Sequence, residues 1–131
     1  MNTTATNRTI PGTPVAFVNV ADRECALAFY REVLGLELHG SDQFGDFLQL
    51  GAALLRMTAM PNHRAHPHPV LGWNVPDIVA TVNALRARGV AFTIYDGMGQ
   101  DELGIWTSPD GRAKVAFFAD PDGNVLSLAQ A

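Results

Sequence analysis

The pattern of hydrophobic and polar residues divides the chain into two halves of similar layout. Residues 14–20 (PVAFVNV) and 69–75 (PVLGWNV) are rich in β-branched and aromatic residues with partial alternation. Such a pattern predicts a strand at the start of each half. The segments that follow, residues 25–35 (CALAFYREVLG) and 80–89 (ATVNALRARG), carry apolar residues at helical spacing. The pattern therefore predicts a strand and then a helix in each half.

Short polar residues and glycines mark where the two helices begin and end. Asp22 and Asp77 stand at the N-cap position, where a carboxylate can accept hydrogen bonds from free backbone N–H groups. Gly35 and Gly89 follow the last turns, as C-terminal caps do. These residues place one helix in each half.

Further strands are predicted after each helix. Gly51 marks a tight link in the first half, and DPDGN at residues 120–124 marks one in the second, because Asp, Pro and Gly suit turns. The predicted strands are LELHG, DFLQL and AALLRMTAM in the first half, and VAFTIY, AKVAFF and NVLSLAQ in the second. Each half is therefore a βαβββ unit.

The two units are also related in sequence, since identical residues recur 55 positions apart. The matched pairs are Pro14 and Pro69, Val15 and Val70, Asn19 and Asn74, Val20 and Val75, and Asp22 and Asp77. One such unit buries little apolar surface alone, whereas two units side by side can share a core. We therefore predict one α+β domain at residues 14–131, with module one at 14–60, a linker at 61–68 and module two at 69–131, after a flexible tail at 1–13.

Composition and charge narrow the classes of partner. The 131 residues are 47% hydrophobic, which suits one compact domain, and the net charge of −4 without a Lys/Arg cluster argues against nucleic acid and anionic membranes. No apolar run approaches the roughly 18 residues of a membrane span, and the polar tail lacks a signal-peptide core. The single cysteine, Cys25, excludes an internal disulfide and is expected to be buried. These features predict a cytoplasmic protein.

Two stretches resemble the vicinal oxygen chelate superfamily, which includes glyoxalase I, extradiol dioxygenases, and fosfomycin and bleomycin resistance proteins. They are VNVADRECALAFYREVLGLEL at residues 18–38, with the family's FYxxxLGL pattern, and VAFFADPDGNVLSL at residues 115–128, with its DPDGN hairpin. The resemblance implies two tandem βαβββ modules that form a cupped mixed sheet, usually in a homodimer. It also implies a pocket inside the cup, where enzymes of the family hold one divalent metal ion that the substrate's oxygens chelate.

The resemblance also indicates where the metal ligands, usually His, Gln or Glu, would stand. The first-strand positions hold Val15 and Val70, and the fourth-strand positions hold Arg56 and Ser127. Hydrocarbon side chains, a cation and a neutral hydroxyl do not suit a divalent metal, so all four expected ligands are missing. A two-residue shift in register would bring His68 near one of these positions. We therefore expect no cofactor, with one divalent metal ion as the alternative.

The connector at residues 61–69 (PNHRAHPHP) contains three of the chain's four histidines. His66 and His68 are two residues apart, so an extended segment would point both the same way and offer a pair of metal donors. A catalytic site needs three protein ligands, however, and no Asp or Glu lies nearby in sequence. We favour a solvated linker, with His66 and His68 as a weak alternative metal pair and His68 also as a pocket wall or acid/base.

Strand parity indicates which side chains face the predicted cup. By alternation along their strands, Phe17, Asn19 and Asn74 are expected to face the cup. The two asparagines either bind ligand or hydrogen-bond within the sheet. Arg56 would direct a guanidinium into the cavity and bind an oxyanion, unless it pairs with a local acid. Trp106, in the irregular segment 95–112, covers a ligand or folds onto the core. The expected ligand-binding residues are Phe17, Asn19, Gln49, Arg56, His68, Asn74, Trp106 and Ser127.

The missing ligand set makes a metal-free small-molecule binding protein the leading hypothesis, with a ligand that is apolar or aromatic and carries an anionic group. The alternative is a glyoxalase-like lyase or a dioxygenase with a displaced or non-standard metal site. A third class is an accessory domain whose cup is filled by its own aromatic residues. The sequence names no catalytic residue, so whether the protein is an enzyme stays open.

Overall fold

The computed structural model of the protein describes residues 8–131, so the first part of the predicted tail, residues 1–7, lies outside the described residues. The described residues form two four-stranded mixed sheets and two helical segments, which confirms the predicted α+β class. No helix within residues 8–131 is long and apolar enough to cross a membrane.

Module one forms sheet A. Its elements are strand β1 (Val15–Val20), helix α1 (Arg23–Ala28) continued by a π-helical turn (Phe29–Val33), and strands β2 (Leu38–Asp42), β3 (Gly45–Leu50) and β4 (Ala53–Ala59). The strand order is β1-β4-β3-β2, with β1 parallel to β4 and the other pairs antiparallel. The helix and the β2–β3 hairpin provide the crossover that a parallel pair requires.

Module two forms sheet B with the same arrangement. Its elements are β5 (Pro69–Asn74), helix α2 (Ile78–Ala87), β6 (Trp106–Thr107), β7 (Lys114–Ala119) and β8 (Val125–Gln130). The strand order is β5-β8-β7-β6, and β5 is parallel to β8. The matching order of the two sheets confirms the repeat that the sequence predicted.

Both helices begin at the predicted caps. The side chain of Asp22 accepts a hydrogen bond from the N–H of Cys25 (3.1 Å), and that of Asp77 accepts one from the N–H of Ala80 (3.1 Å). Gly89, just after α2, has a φ of 93°, in the left-handed region that favours glycine. Cys25 is exposed, so the expectation of a buried thiol is wrong: the residue lies in the first turn of α1, on its solvent side.

One predicted strand is wrong. Residues 90–95 (VAFTIY) form only an isolated bridge to Phe118, and the fourth strand of sheet B is the two-residue β6. The side-chain amide of Gln100 explains the difference, since it donates to the carbonyl of Thr93 (2.9 Å) and accepts from the N–H of Tyr95 (2.7 Å). Backbone groups that a neighbouring strand would pair are thereby satisfied by a side chain.

Within residues 8–131, each sheet has one face packed against helices and one face without a helix. Alternate residues such as Val20, Leu55 and Leu126 are fully buried in one core that spans both modules. The residues between them point to the other side, which we term the open face. Its residues are Val15, Phe17, Asn19, Phe47, Gln49, Leu54, Arg56 and Thr58 on sheet A, and Val70, Gly72, Asn74, Trp106, Val115, Phe117 and Ser127 on sheet B.

A buried polar network joins the modules. The hydroxyl of Tyr30, in the π-helical turn, donates to Asp120 (2.8 Å), a carboxylate that is only 5% exposed. The side-chain amide of Asn124 donates to Asp120 (2.8 Å) and to the backbone carbonyl of Asn19 (2.9 Å). Burial, together with the charge of Asp120, raises the pKa of Tyr30 far above its usual range, so the phenol remains a donor. The network fixes module two against β1 and the first helix.

Candidate functional site

The open face of sheet A is centred on Arg56 in the middle of β4. Its cross-strand neighbours are Phe17 on β1 and Phe47 on β3. The guanidinium carbon lies 4.6 Å from the centre of the Phe47 ring, in cation–π contact. Only 11% of the Arg56 side chain is exposed. The sheet therefore holds a nearly buried cation on the face that carries no helix.

Arg56 forms an ion pair with Asp42, at the end of β2. Its Nη2 donates to Oδ1 of Asp42 (2.9 Å), so the pairing with a local acid that the sequence left open does occur. The second terminal nitrogen, Nη1, is buried and has no hydrogen-bond partner among residues 8–131. A buried donor without a partner costs about 1–3 kcal/mol. Part of the hydrogen-bonding capacity of the guanidinium is therefore not used by the described residues.

Asp42 is held in place by the β2–β3 turn. Its Oδ1 also accepts from the N–H groups of Phe44 (2.8 Å) and Gly45 (3.0 Å). Its backbone carbonyl accepts from Nη2 of Arg23 (2.8 Å). The hydrogen bond from Arg56, followed by that from the N–H of Phe44, holds the pKa of Asp42 below its ordinary value. Asp42 is therefore ionised at neutral pH.

The other predicted ligand-binding residues on sheet A differ in their exposure and in their hydrogen bonds within the protein. Phe17 is 69% exposed, which is unusual for a large aromatic side chain. Asn19 is also exposed, and its side-chain amide makes no hydrogen bond within residues 8–131. The amide nitrogen of Gln49 donates to the carbonyls of Gly51 (2.7 Å) and Ala53 (3.2 Å). Gln49 thus stabilises the β3–β4 turn, and its amide oxygen makes no hydrogen bond within residues 8–131.

At the equivalent place in module two the side chains are small and neutral. Gly72 and Ser127 pair across β5 and β8, just as Phe17 and Arg56 pair across β1 and β4. A Cβ added at position 72 would come too close to Oγ of Ser127, so a larger residue there would require the Ser127 hydroxyl to rotate away. Sheet B therefore offers a hydroxyl and space where sheet A offers an aromatic ring and a cation.

The rest of the open face of sheet B is largely apolar. Trp106 is half-buried and pairs with Val115 across β6 and β7, which places the indole on the open face. The ring of Phe117 packs edge-on against Tyr95, with ring centres 5.7 Å apart. Asn74 is exposed at the end of β5, and its side chain makes no hydrogen bond within the described residues.

The histidines of the connector have different surroundings. His63 is half-buried and its Nε2 donates to Oδ1 of Asn124 (2.8 Å), because the amide nitrogen of Asn124 already donates elsewhere. His66 and His68 are exposed and make no hydrogen bond within residues 8–131. Over the same range, no three His, Cys, Asp or Glu side chains converge. The connector is thus partly structural, through His63.

A separate groove of about 360 Å³ lies on the helix-covered side, between α2 and β5. It is lined mainly by apolar residues, including Leu34, Trp73, Val75, Leu85 and Phe118. Trp73 faces this side, because it alternates along β5 with Gly72 and Asn74 of the open face. None of the predicted binding residues lines the groove, so the face that carries Arg56 and the face with this groove are distinct.

Sequence reasoning missed Asp42. The residue lies in a polar stretch, SDQFG at residues 41–45, that connects two strands. Its partner Arg56 is two strands away in the sheet order, beyond β3. A turn-capping aspartate can be read from the sequence, but a contact across an intervening strand cannot.

The family is shown by sequence as well as by fold. The model of the Glyoxalase/Bleomycin resistance protein/Dioxygenase superfamily matches residues 13–128. The chain belongs to this superfamily, which confirms the resemblance stated above. No curated protein sequence matches the chain significantly.

Several solved structures share the fold. TnmS3, an antibiotic binding protein from Streptomyces sp. CB03234, is 27% identical, with 95% of this chain and 98% of that chain covered and a TM-score of 0.66. Lactoylglutathione lyase from Agrobacterium tumefaciens is 18% identical, with coverages of 94% and 96% and a TM-score of 0.69. The fosfomycin resistance protein FosX from Listeria monocytogenes is 13% identical, with coverages of 94% and 95% and a TM-score of 0.71. The last two show the fold alone.

Proposed function

We propose that the protein binds a small molecule without a metal ion, and that the ligand is apolar or aromatic with an anionic group. The observation that carries this proposal is the nearly buried guanidinium of Arg56 on the open face, whose Nη1 has no partner among the described residues. Arginine is well suited to carboxylates and phosphates, because its planar donors match two acceptor oxygens. An anionic group at Nη1 would satisfy a buried donor that has no partner in the part of the chain that the structure describes.

Further side chains on the open faces of both sheets are proposed to complete the site. Phe17 and Trp106 supply apolar contact, and the amides of Asn19 and Asn74, which make no hydrogen bond within residues 8–131, orient polar groups of the ligand. Ser127 adds a hydroxyl beside the space that Gly72 leaves. Gln49 contributes only its amide oxygen, and His68 stays a proposed outer contact, since it is exposed on the connector.

The donor chemistry of the open face does not fit a divalent metal. At the four positions that resemble the family's ligand positions stand two valines, a guanidinium and a hydroxyl. Valine has no donor atom, and a fixed cation repels a metal ion. No step through a metal is therefore part of the proposal.

The comparison with TnmS3 supports binding. At 27% identity over nearly the whole of both chains, TnmS3 is described as an antibiotic binding protein. We extend to this chain only the class of activity, which is the capture of a small organic molecule. We also propose that it acts in the cytoplasm, which the single cysteine supports, and as a homodimer.

Two matched probes test the proposal by isothermal titration calorimetry. Naphthalene-2-carboxylate carries the aromatic body and the anion, and naphthalene-2-carboxamide carries the same body without the charge. We expect the wild-type protein to bind the carboxylate more tightly than the amide. Arg56→Gln should weaken carboxylate binding about tenfold or more, which corresponds to roughly 1.5 kcal/mol for a charged hydrogen bond, and should leave amide binding nearly unchanged.

The control is Arg112→Gln, which removes an exposed arginine from a loop of module two. It should leave both affinities unchanged. Equal binding of the two probes by wild type and by Arg56→Gln would show that Arg56 is only a structural partner of Asp42, and would refute the proposed anion site.

A further inference from the structure

The ion pair between Arg56 and Asp42 is uneven in its exposure. The Arg56 side chain is 11% exposed, whereas that of Asp42 is 49% exposed. Asp42 therefore stands on the solvent side of the pair, and the cation lies behind it. An anion that approaches Arg56 from solvent also approaches a carboxylate of the same sign.

The carboxylate of Asp42 is fixed by its surroundings. Its Oδ1 accepts from Nη2 of Arg56 (2.9 Å) and from the N–H groups of Phe44 (2.8 Å) and Gly45 (3.0 Å). Its backbone is tied to Arg23, which in turn pairs with the buried carboxylate of Asp46 (3.0 Å). Swinging the carboxylate away would break several of these hydrogen bonds at once. The negative charge therefore remains beside Arg56 when a ligand arrives.

We propose that Asp42 is a specificity-determining residue that competes with the ligand's anionic group for Arg56. This inference rests on the proposed function, because it concerns the same site. Asp42 partly neutralises the guanidinium through Nη2, so the anionic group of a ligand gains less from Arg56 than it would if Asp42 were uncharged. The favoured ligand combines apolar contact with an anion that reaches Nη1, away from the Nη2 contact of Asp42.

The variant Asp42→Asn tests the competition. The amide oxygen still accepts from the turn N–H groups, so the substitution removes the charge and keeps the turn. The two naphthalene probes are titrated into wild type and variant by calorimetry. We expect the ratio of carboxylate to amide affinity to rise about tenfold in Asp42→Asn, as a neighbouring charge typically shifts such an equilibrium. Binding of the amide should not change.

The matched control is Asp110→Asn. Asp110 is also an exposed turn aspartate, and it accepts hydrogen bonds within its own loop, from the Ser108 hydroxyl (2.6 Å) and the N–H of Arg112 (3.0 Å). The control changes the net charge equally but should leave the affinity ratio unchanged. An equal rise in both variants would overturn the inference, because net charge would then be the cause.

The remaining outcomes separate this inference from the proposed function. If wild type binds the carboxylate through Arg56 and Asp42→Asn leaves the ratio unchanged or lower, the competition is refuted and the proposed function stands. Carboxylate binding by Asp42→Asn but not by wild type supports the competition and refutes anion binding by the natural site. An absence of binding in both proteins refutes both.

Discussion

The two modules share one layout but differ at the same place on their open faces. In module one, the neighbouring positions on β1 and β4 hold Phe17 and Arg56. In module two, the corresponding positions on β5 and β8 hold Gly72 and Ser127. The strand order and the helix caps are the same in both. A duplicated scaffold thus keeps its core pattern, whereas open-face side chains, which do not pack in the core, can differ in size and charge.

The closing hairpins of the two modules also differ, and here module two carries the longer and more polar loop. Module one joins β3 to β4 through residues 51–52, whereas module two joins β7 to β8 through residues 120–124. The longer loop carries Asp120, Asp122 and Asn124, and each of them accepts from or donates to module one. Module one therefore supplies the charged group of the proposed site. Module two supplies the hairpin whose hydrogen bonds join the two modules.

The largest expected effect is a loss of stability when the Asp120 carboxylate, which accepts hydrogen bonds from both modules, is removed. Asp120→Ala leaves the buried Tyr30 hydroxyl and the N–H groups of Asp122 and Asn124 without their acceptor. We expect the free energy of unfolding to fall by about 3 kcal/mol, measured by urea denaturation. Asp110→Ala, in an exposed turn, should cost much less.

Tyr30→Phe gives a milder test of the same contact, in case Asp120→Ala does not fold. It removes one donor to Asp120, and we expect a loss of about 1 kcal/mol. If Tyr30→Phe and Asp120→Ala both unfold with the same free energy as wild type, the second hairpin does not stabilise the contact between the modules.

An intermediate effect, on self-association, is expected from replacing Phe17, an exposed aromatic residue whose equivalent in module two is Gly72. We predict that the protein sediments as a dimer and that Phe17→Ser increases the monomer fraction, because a large aromatic side chain that is 69% exposed can be buried by a second copy. Analytical ultracentrifugation over a dilution series measures the change. Val79→Ser, on the exposed side of α2, serves as the control. A wild-type protein that is monomeric throughout would refute the predicted dimer.

The smallest effect is expected on metal content, when the connector histidines are replaced. Elemental analysis of tag-free protein, purified without chelator, should find no stoichiometric transition metal, because Arg56 and Ser127 stand where ligands would be needed. His66→Ala/His68→Ala should leave the metal content unchanged. Near-stoichiometric metal that is lost in this double variant would instead support the lyase or dioxygenase alternative.

Much of the fold could be predicted because it depends on short-range patterns. Asp22 and Asp77 cap the helices through residues three positions away, and the strand parity of Phe17 and Trp73 follows from alternation. The strand predicted at residues 90–95 failed because the side chain of Gln100 takes up backbone groups of that segment. A competition between a side chain and a strand for the same backbone groups has no periodic signal.

The sequence by itself determined the repeat, the helix caps and the face of β4 on which Arg56 lies, since these depend on alternation and on neighbours within a few residues. Only the tertiary structure decided which groups meet. Arg56 meets Asp42 from 14 residues away, and Tyr30 meets Asp120 from 90 residues away. The physical reason is that such contacts depend on how strands and modules pack, which no local pattern encodes.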